Sequence, residues 1–100
     1  MAKWNSILQD DPNECFLCGR NGCGDPLDKH HIFGGANRKL SDKYGLYVRL
    51  CHSRCHEHGK DAVHNNKDVR LKLQAKAQEA FVDNYSDLDF LSLFGRNYIL

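Results

Sequence analysis

The segment Leu27-Asp28-Lys29-His30-His31-Ile32-Phe33-Gly34-Gly35 places two adjacent histidines on a short β-prone run that ends in paired glycines. A Cys-x-x-Cys pair, Cys15 and Cys18, precedes this segment, and Cys51-His-Ser-Arg-Cys55-His56 follows it. Residue types that bind metals therefore flank the histidine pair on both sides. We interpret the chain as organised around this arrangement.

The bulk composition indicates one small domain that needs a stabilising constraint. One hundred residues bury too little apolar surface for a very stable core. Five cysteines interleaved with six histidines favour bound metal, because a disulfide framework favours an even cysteine count and a secretory context. The N-terminal residues lack the apolar core of a signal peptide, and no apolar run approaches the roughly 20 residues that cross a bilayer. We expect a cytoplasmic, reduced chain with no membrane partner.

Positive charge is concentrated in the middle of the chain. Residues 29–76 contain 11 Lys and Arg against 4 Asp and Glu, although the whole chain has a net charge of only +1. A basic segment that carries the metal-binding motifs fits a polyanion such as DNA, although ordinary solvated faces would give the same composition. We predict phosphate contacts from Arg38, Lys39, Lys43 and Arg54, which flank these motifs.

Apolar periodicity predicts an α+β fold. We expect strands over 27–33 and 44–50 with a polar connection over 36–43, and then a short helix from about Ser53 to Gly59. A longer helix is predicted over 66–85 with Asn66 as N-cap, and a last helix over 87–94 with Ser86 as N-cap and Gly95 after its end. Residues 1–14 are predicted to form an N-terminal arm, with Trp4, Ile7 and Leu8 packed against the body. Residues 15–100 then form one domain, in which 65–100 support the metal-binding part at 15–64.

The first constellation is a set of four cysteines: Cys15, Cys18, Cys51 and Cys55. Two short spacings allow two loops to supply two sulfurs each to a tetrahedral zinc ion, whose binding free energy then stabilises the fold. The spacing from Cys51 to Cys55 is one residue wider than in the usual zinc knuckle. Cys23, His52 and His56 therefore stay open as alternative ligands.

The second constellation is the histidines. A neutral imidazole is both a metal ligand and a base near neutral pH. Hydrolysis of a phosphodiester needs a deprotonated water and a cation that offsets developing negative charge. His30 and His31 can divide these two tasks, with one histidine binding the cation and the other deprotonating the water. Because neighbours on a regular strand point to opposite faces, this division requires a bulge or a strand end, which Gly34-Gly35 would allow.

The order of these motifs resembles that of the His-Me finger (HNH, ββα-metal) endonucleases. More narrowly, the chain is similar to small phage-encoded HNH proteins of the recombination-enhancement nuclease type. The resemblance covers about residues 15–98, and it is carried by Lys29–Gly35, Lys43–Leu46, Cys55-His56, Val63–Asn66 and Phe94–Tyr98.

This resemblance implies a ββα-metal finger held by a four-cysteine zinc site, with two C-terminal helices packed behind it. It implies a DNA endonuclease in which His31 is the general base, with phage or prophage DNA processing and a recombinase filament as a partner. His30, His56 and His64 would hold one catalytic divalent metal, with His52 or His58 as competitors for the last two positions. The family's middle Asn would fall near Gly45-Leu46, where this chain has none, so a backbone carbonyl is expected to orient the base instead.

The identity of the metal and two other functions stay open. Imidazole ligands suit Zn, Mn, Ni or Co better than Mg, although substrate phosphate and water could supply the oxygens that Mg prefers. One alternative is a zinc-binding module that grips nucleic acid or a protein without cleavage, and the other is a redox protein that uses Cys23. Because no helix-turn-helix pattern is present, we predict weak or absent sequence specificity.

Overall fold

The computed structural model describes residues 4–99, which form a small α+β fold. Met1–Lys3 of the predicted arm and Leu100 of the predicted domain lie outside the described residues. The elements in chain order are β1 (Leu27–His31), a 3-10 turn (Gly35–Asn37), α1 (Arg38–Tyr44), β2 (Tyr47–Cys51), a π-helical turn (His52–Glu57), α2 (Lys67–Asn84) and α3 (Phe90–Phe94). Within residues 4–99, no helix has the length and apolar character needed to cross a membrane.

The sheet consists of β1 and β2, which pair antiparallel. His30 lies opposite Val48, and His31 lies opposite Tyr47 at the end of the ladder. The predicted first strand thus ends two residues early, and His31 occupies the strand end that the division of tasks requires. Val48 and Leu50 are fully buried, as the alternation predicts, but Tyr47 on the other face is also buried where the Trp4 ring packs on it, so β2 is not the half-buried strand that was expected.

The expectation of an irregular connection over residues 36–43 is wrong, because Arg38–Tyr44 is the helix α1. Its sequence is mostly polar, so it shows little apolar periodicity, and only Ser41 and Tyr44 are buried. The helix ends at Gly45, which has φ of 72° and lies so close to the Asn5 carbonyl that a side chain would not fit. Helix α1 therefore displaces the start of β2 from the predicted residue 44 to Tyr47.

The short helix predicted from Ser53 to Gly59 is instead a π-helical turn over His52–Glu57. The His58 amide donates to the Ser53 carbonyl at 2.9 Å, which is the i to i+5 bond of this wider turn. Cys55 lies on this wider turn, four residues after Cys51 at the end of β2.

The two C-terminal helices close the core. Helix α2 begins after Asn66, whose side chain accepts hydrogen bonds from the amides of Asp68 and Val69, as predicted. Its buried Phe81 contacts Phe90 of α3 at a ring-centroid distance of 5.4 Å. Helix α3 is shorter than predicted, because Asp89 rather than Ser86 is its N-cap, although Gly95 follows its end as expected.

The described part of the N-terminal arm packs along β2. The Trp4 ring meets the Tyr47 ring edge-on at 4.9 Å, and the Ile7 amide donates to the Gly45 carbonyl at 2.9 Å. Ile7 and Leu8 are half-buried against the core. The predicted packing of the arm onto the body is confirmed.

Candidate functional site

The four cysteines predicted to bind zinc form one cluster. The sulfurs of Cys15, Cys18, Cys51 and Cys55 all lie within 4.8 Å of one another. The Cys18 and Cys51 sulfurs are 3.5 Å apart, close to the roughly 3.8 Å expected of two thiolates on one tetrahedral zinc ion. This four-cysteine cluster can hold a structural metal such as zinc, and it joins the start of the domain to the end of β2.

Local backbone geometry brings the first two sulfurs together. The Gly19 amide donates to the Cys15 carbonyl at 2.8 Å, and Gly19 has a φ of 78°, which favours glycine. Cys51 is the last residue of β2, and Cys55 lies on the π-helical turn that follows. Cys23 is exposed and lies outside the cluster.

The thiols of the cluster differ in acidity. Burial raises the pKa of the Cys51 thiol to about 12, and burial likewise raises the pKa of Cys55. Burial also acts on Cys15, but the backbone amides near its sulfur outweigh that effect and lower its pKa to about 7. Cys51 and Cys55 are therefore protonated at neutral pH until a cation displaces their protons.

Three histidines form a second cluster beside the sheet. A ligating nitrogen from each of His30, His56 and His64 lies within 4.8 Å of the others. The Nε2 atoms of His56 and His64 are 3.1 Å apart, and two imidazole nitrogens bound to one ion at about 2.1 Å lie about 3.0 to 3.4 Å apart. This separation is that of a hydrogen bond between the two rings, and it also fits two ligands of a single divalent ion.

His30 is the buried member of this histidine cluster, with only 6 % of its surface exposed. Burial lowers its pKa to about 3, and the nearby His56 and His64 lower it further in the same direction. The ring is consequently neutral at physiological pH, which is the form that binds a metal.

Asp28 orients His56. The Asp28 carboxylate accepts hydrogen bonds from Nδ1 of His56 at 2.8 Å and Nδ1 of His52 at 2.6 Å. Because His56 donates its Nδ1 proton in a hydrogen bond to Asp28, its Nε2 lone pair faces the histidine cluster, as is common for metal-bound histidines. Asp28, His52 and His56 could themselves hold an ion, but the 2.6 Å separation is that of a hydrogen bond and is short for two atoms that share one metal.

His31 contacts a carboxylate that the sequence did not identify. Its Nε2 lies 2.8 Å from Asp42 Oδ1, and Lys29 Nζ lies 3.0 Å from the same oxygen. The Lys29 bond, with that of His31, keeps the pKa of Asp42 below its usual value, so Asp42 is an acceptor. Nε2 of His31 is therefore the donor, and in the neutral ring Nδ1 can accept a proton. The expected backbone carbonyl is replaced here by a side chain of α1.

These groups meet at one open pocket of about 280 Å³. The pocket is lined by His30, His31, His56, His64, Lys29 and Arg38, together with Gly34 and Gly35.

Of the four residues predicted to contact phosphate, only Arg38 is among this pocket's lining residues. Arg54 lines a different cavity beside Cys18, and the Lys43 ammonium lies over the Tyr44 ring at 5.3 Å. Lys39 is exposed on α1, outside the pocket lining.

The competing histidines do not line the histidine pocket, although His52 shares the Asp28 carboxylate with His56. His52 and His58 are both exposed, and their rings contact each other at a centroid distance of 6.0 Å.

The sequence analysis missed two groups at the pocket: Lys29, which lines it, and Asp42, which bonds to the pocket residue His31. Alternation along β1 could have indicated Lys29, since it lies two residues before His31.

Comparison of the chain with protein-family models, with curated proteins and with solved structures finds no match in any of the three. The chemistry of the pocket is therefore inferred from the residues that line it.

Proposed function

We propose that this protein is a metal-dependent DNA endonuclease of the HNH, or ββα-metal, kind. The observation that carries the proposal is that His30, His56 and His64 converge in one pocket beside His31. The basic side chains of Lys29 and Arg38 line the same pocket. The antiparallel pair β1 and β2 followed by the π-helical turn would be the metal finger, and the four-cysteine cluster would be its zinc staple.

His31 is proposed as the general base. Its hydrogen bond to Asp42 fixes the ring and the tautomer, which leaves Nδ1 to take the proton from the attacking water. The carboxylate also stabilises the imidazolium that forms when the proton arrives, because the two groups then carry opposite charges at hydrogen-bond distance.

His30, His56 and His64 are proposed as ligands of the catalytic ion. The bound cation would offset the charge that develops on the phosphate and the leaving oxygen. Imidazole donors suit Zn, Ni, Co and Mn, and substrate phosphate with water would complete the coordination of Mg. His30 provides a rigid, buried position, whereas His64 is exposed at the mouth of the pocket.

Arg38 and Lys29 are proposed to bind the phosphate. Both line the pocket that contains the histidines, and a phosphodiester held there would lie beside His31. Such contacts recognise the backbone, not the bases, so the proposed cleavage depends weakly on sequence. The phage context and the recombinase filament implied by the resemblance remain predictions.

Nicking of supercoiled plasmid tests this function. We expect zinc-loaded protein to nick DNA when Mg, Mn, Ni or additional Zn is supplied. His31→Ala should lower the rate about 10²- to 10⁴-fold, the usual contribution of a general base. His58→Ala is the matched control, because this exposed histidine lies outside the pocket lining and should leave the rate unchanged.

Inactive wild-type protein in all four metals would favour the non-catalytic zinc-binding module instead. Equal activity of the wild type and His31→Ala would reject His31 as the base.

A further inference from the structure

Residues 15–20, which carry Cys15 and Cys18, form a turn that we call the knuckle. Two adjoining cavities form a groove between this knuckle and α2, which we call the knuckle groove. One cavity, of about 430 Å³, lies beside Cys18 and Cys55. The other, of about 230 Å³, lies beside Phe16 and Leu73. Leu17 and Val69 line both cavities, so these two side chains stand at the middle of the groove.

The middle of the knuckle groove is apolar and accessible. Leu17 has 41 % of its surface exposed, and Val69 and Phe16 beside it are half-buried. A single exposed leucine would need no explanation, but this one adjoins other apolar side chains in a concave surface. Such a surface can accept an apolar side chain from outside the chain.

The rim of the groove is positively charged. Its charged lining residues are Arg54, Lys60, Lys72 and Lys76, with Asp61 as the one carboxylate among them. The Lys76 ammonium lies 5.8 Å from the centre of the Phe16 ring, so positive charge directly borders the apolar surface. The groove therefore presents an aliphatic centre within a cationic rim.

This combination fits an acidic peptide better than nucleic acid. Phosphates need only the cations and would leave the aliphatic side chains of Leu17 and Val69 in water. A peptide with carboxylates around an apolar anchor matches both parts, because charge complementarity selects the partner and the buried anchor supplies affinity.

We propose that the knuckle groove binds an acidic segment of a partner protein, with an apolar side chain of that segment packed between Leu17 and Val69. The groove and the histidine pocket have no lining residue in common, so the partner can bind while the pocket stays open. A bound segment also covers Cys18, the exposed member of the four-cysteine cluster. The inference goes beyond the proposed nuclease function and does not depend on it.

Fluorescence anisotropy of zinc-loaded protein tests this proposal. The probe is a labelled peptide of alternating Glu and Asp around a central Leu-Phe pair, beside a matched peptide with Ser-Ser at the centre and a labelled DNA duplex. We expect Leu17→Ser and Lys72→Glu each to raise the peptide Kd about tenfold or more, equivalent to about 1.4 kcal/mol. Leu91→Ser and Lys67→Glu are the matched controls, since both residues are exposed and lie outside the groove lining.

A second readout concerns the zinc. The Leu-Phe peptide should slow the transfer of zinc from the protein to a chromogenic chelator, whereas the Ser-Ser peptide should not. The zinc content of each purified variant shows whether the knuckle is intact.

Three results would overturn the proposal. The first is absence of binding by the Leu-Phe peptide at millimolar concentration. The second is a peptide Kd that Leu17→Ser and Lys72→Glu leave unchanged. The third is duplex binding that Leu17→Ser weakens while peptide binding persists, which would make the groove a nucleic-acid site.

Discussion

His31 and Asp42 are the pair on which the proposed chemistry depends. The residues are 11 positions apart in sequence and 2.8 Å apart in space, with Lys29 bonded to the same carboxylate oxygen. Half of the Asp42 side chain is exposed, so its ion pairs should contribute little to stability, and its proposed role is to position His31.

Asp42→Asn should therefore lower kcat for DNA cleavage by about 10- to 10⁴-fold, a range that extends from the loss of a partner of a metal-bound histidine to the loss of the carboxylate that orients a catalytic histidine. KM, zinc content and the free energy of unfolding should stay close to those of the wild type. The exposed Asp83 of α2 provides the control substitution, Asp83→Asn, for which no change is expected. Wild-type kcat in Asp42→Asn would show that the carboxylate does not orient the base.

Burial of His30 makes stability depend on pH. Its pKa is about 3 in the folded chain and about 6.5 when unfolded, so between these values only the unfolded chain binds the proton. Stability is therefore complete above about pH 6.5 and declines as the pH falls towards 3. From pH 7 to pH 5 this loss amounts to about 2 kcal/mol.

Urea denaturation of the wild type and His30→Gln at both pH values measures this contribution. The wild type should lose about 2 kcal/mol more than His30→Gln, whose amide does not titrate. An identical loss in the two proteins would show that His30 binds protons equally well in the folded and unfolded states.

At the scale of elements, α1 contributes Arg38 to the pocket lining and Asp42 as the hydrogen-bond partner of His31. Its position is set by Ser41, which is fully buried. The Ser41 hydroxyl donates to the Phe33 carbonyl at 2.7 Å and accepts from the Phe33 amide at 3.1 Å. This pair of hydrogen bonds joins the helix to the chain just after β1.

Ser41→Ala should lower the free energy of unfolding by about 1–3 kcal/mol, because two backbone groups of Phe33 lose their buried partner. Chemical denaturation measures the change. Ser92→Ala removes an exposed hydroxyl of α3 that donates to the Asp89 carboxylate at 2.7 Å, and it should cost less than about 1 kcal/mol. A Ser41→Ala protein as stable as Ser92→Ala would contradict this account of how α1 is held.

Elements with an apolar repeat were predicted correctly from the sequence, and elements without one were missed. β2 and α2 were predicted because Val48, Leu50, Leu73 and Phe81 repeat at the spacings of a half-buried strand and an amphipathic helix. Helix α1 was missed because its buried residues include a serine, and a buried polar contact leaves no apolar period. The π-helical turn was expected as an ordinary helix, since its i to i+5 hydrogen bonds have no sequence signature.

The candidate site likewise contains residues that the sequence indicated and residues that it did not. Residue type and short spacing indicated the four cysteines, whereas His30, His56 and His64 were implied by the family resemblance, and all seven candidate ligands occur in the two clusters. Asp28 and Asp42 could not be identified, because what they do depends on tertiary contacts with histidines from other elements. Single charged residues give no sign of such partners.

For the whole molecule, the four-cysteine cluster is the main expected source of stability. A structural zinc site contributes about 10–16 kcal/mol, whereas a typical domain is stable by only about 5–15 kcal/mol. Its ligands come from the N-terminal knuckle, β2 and the π-helical turn, so loss of metal would separate the segments that frame the histidine pocket.

Cys55→Ser should consequently bind zinc far more weakly and unfold when a chelator is added. Cys23→Ser, which changes an exposed thiol outside the cluster, should retain the zinc content and circular dichroism of the wild type. Zinc analysis and thermal unfolding distinguish the two variants. Equal zinc loss from Cys23→Ser would mean that Cys23 is a ligand.

His30, His56 and His64 form the proposed second metal centre, on which the proposed nuclease chemistry depends. Calorimetric titration of zinc-loaded protein with Ni²⁺, which imidazole binds well, tests this claim most directly. We predict one Ni²⁺ site per chain in the wild type and in His58→Ala, and loss of that site in His64→Ala. A Ni²⁺ site that persists in His64→Ala but disappears in His52→Ala would contradict the account and assign the ion to Asp28, His52 and His56.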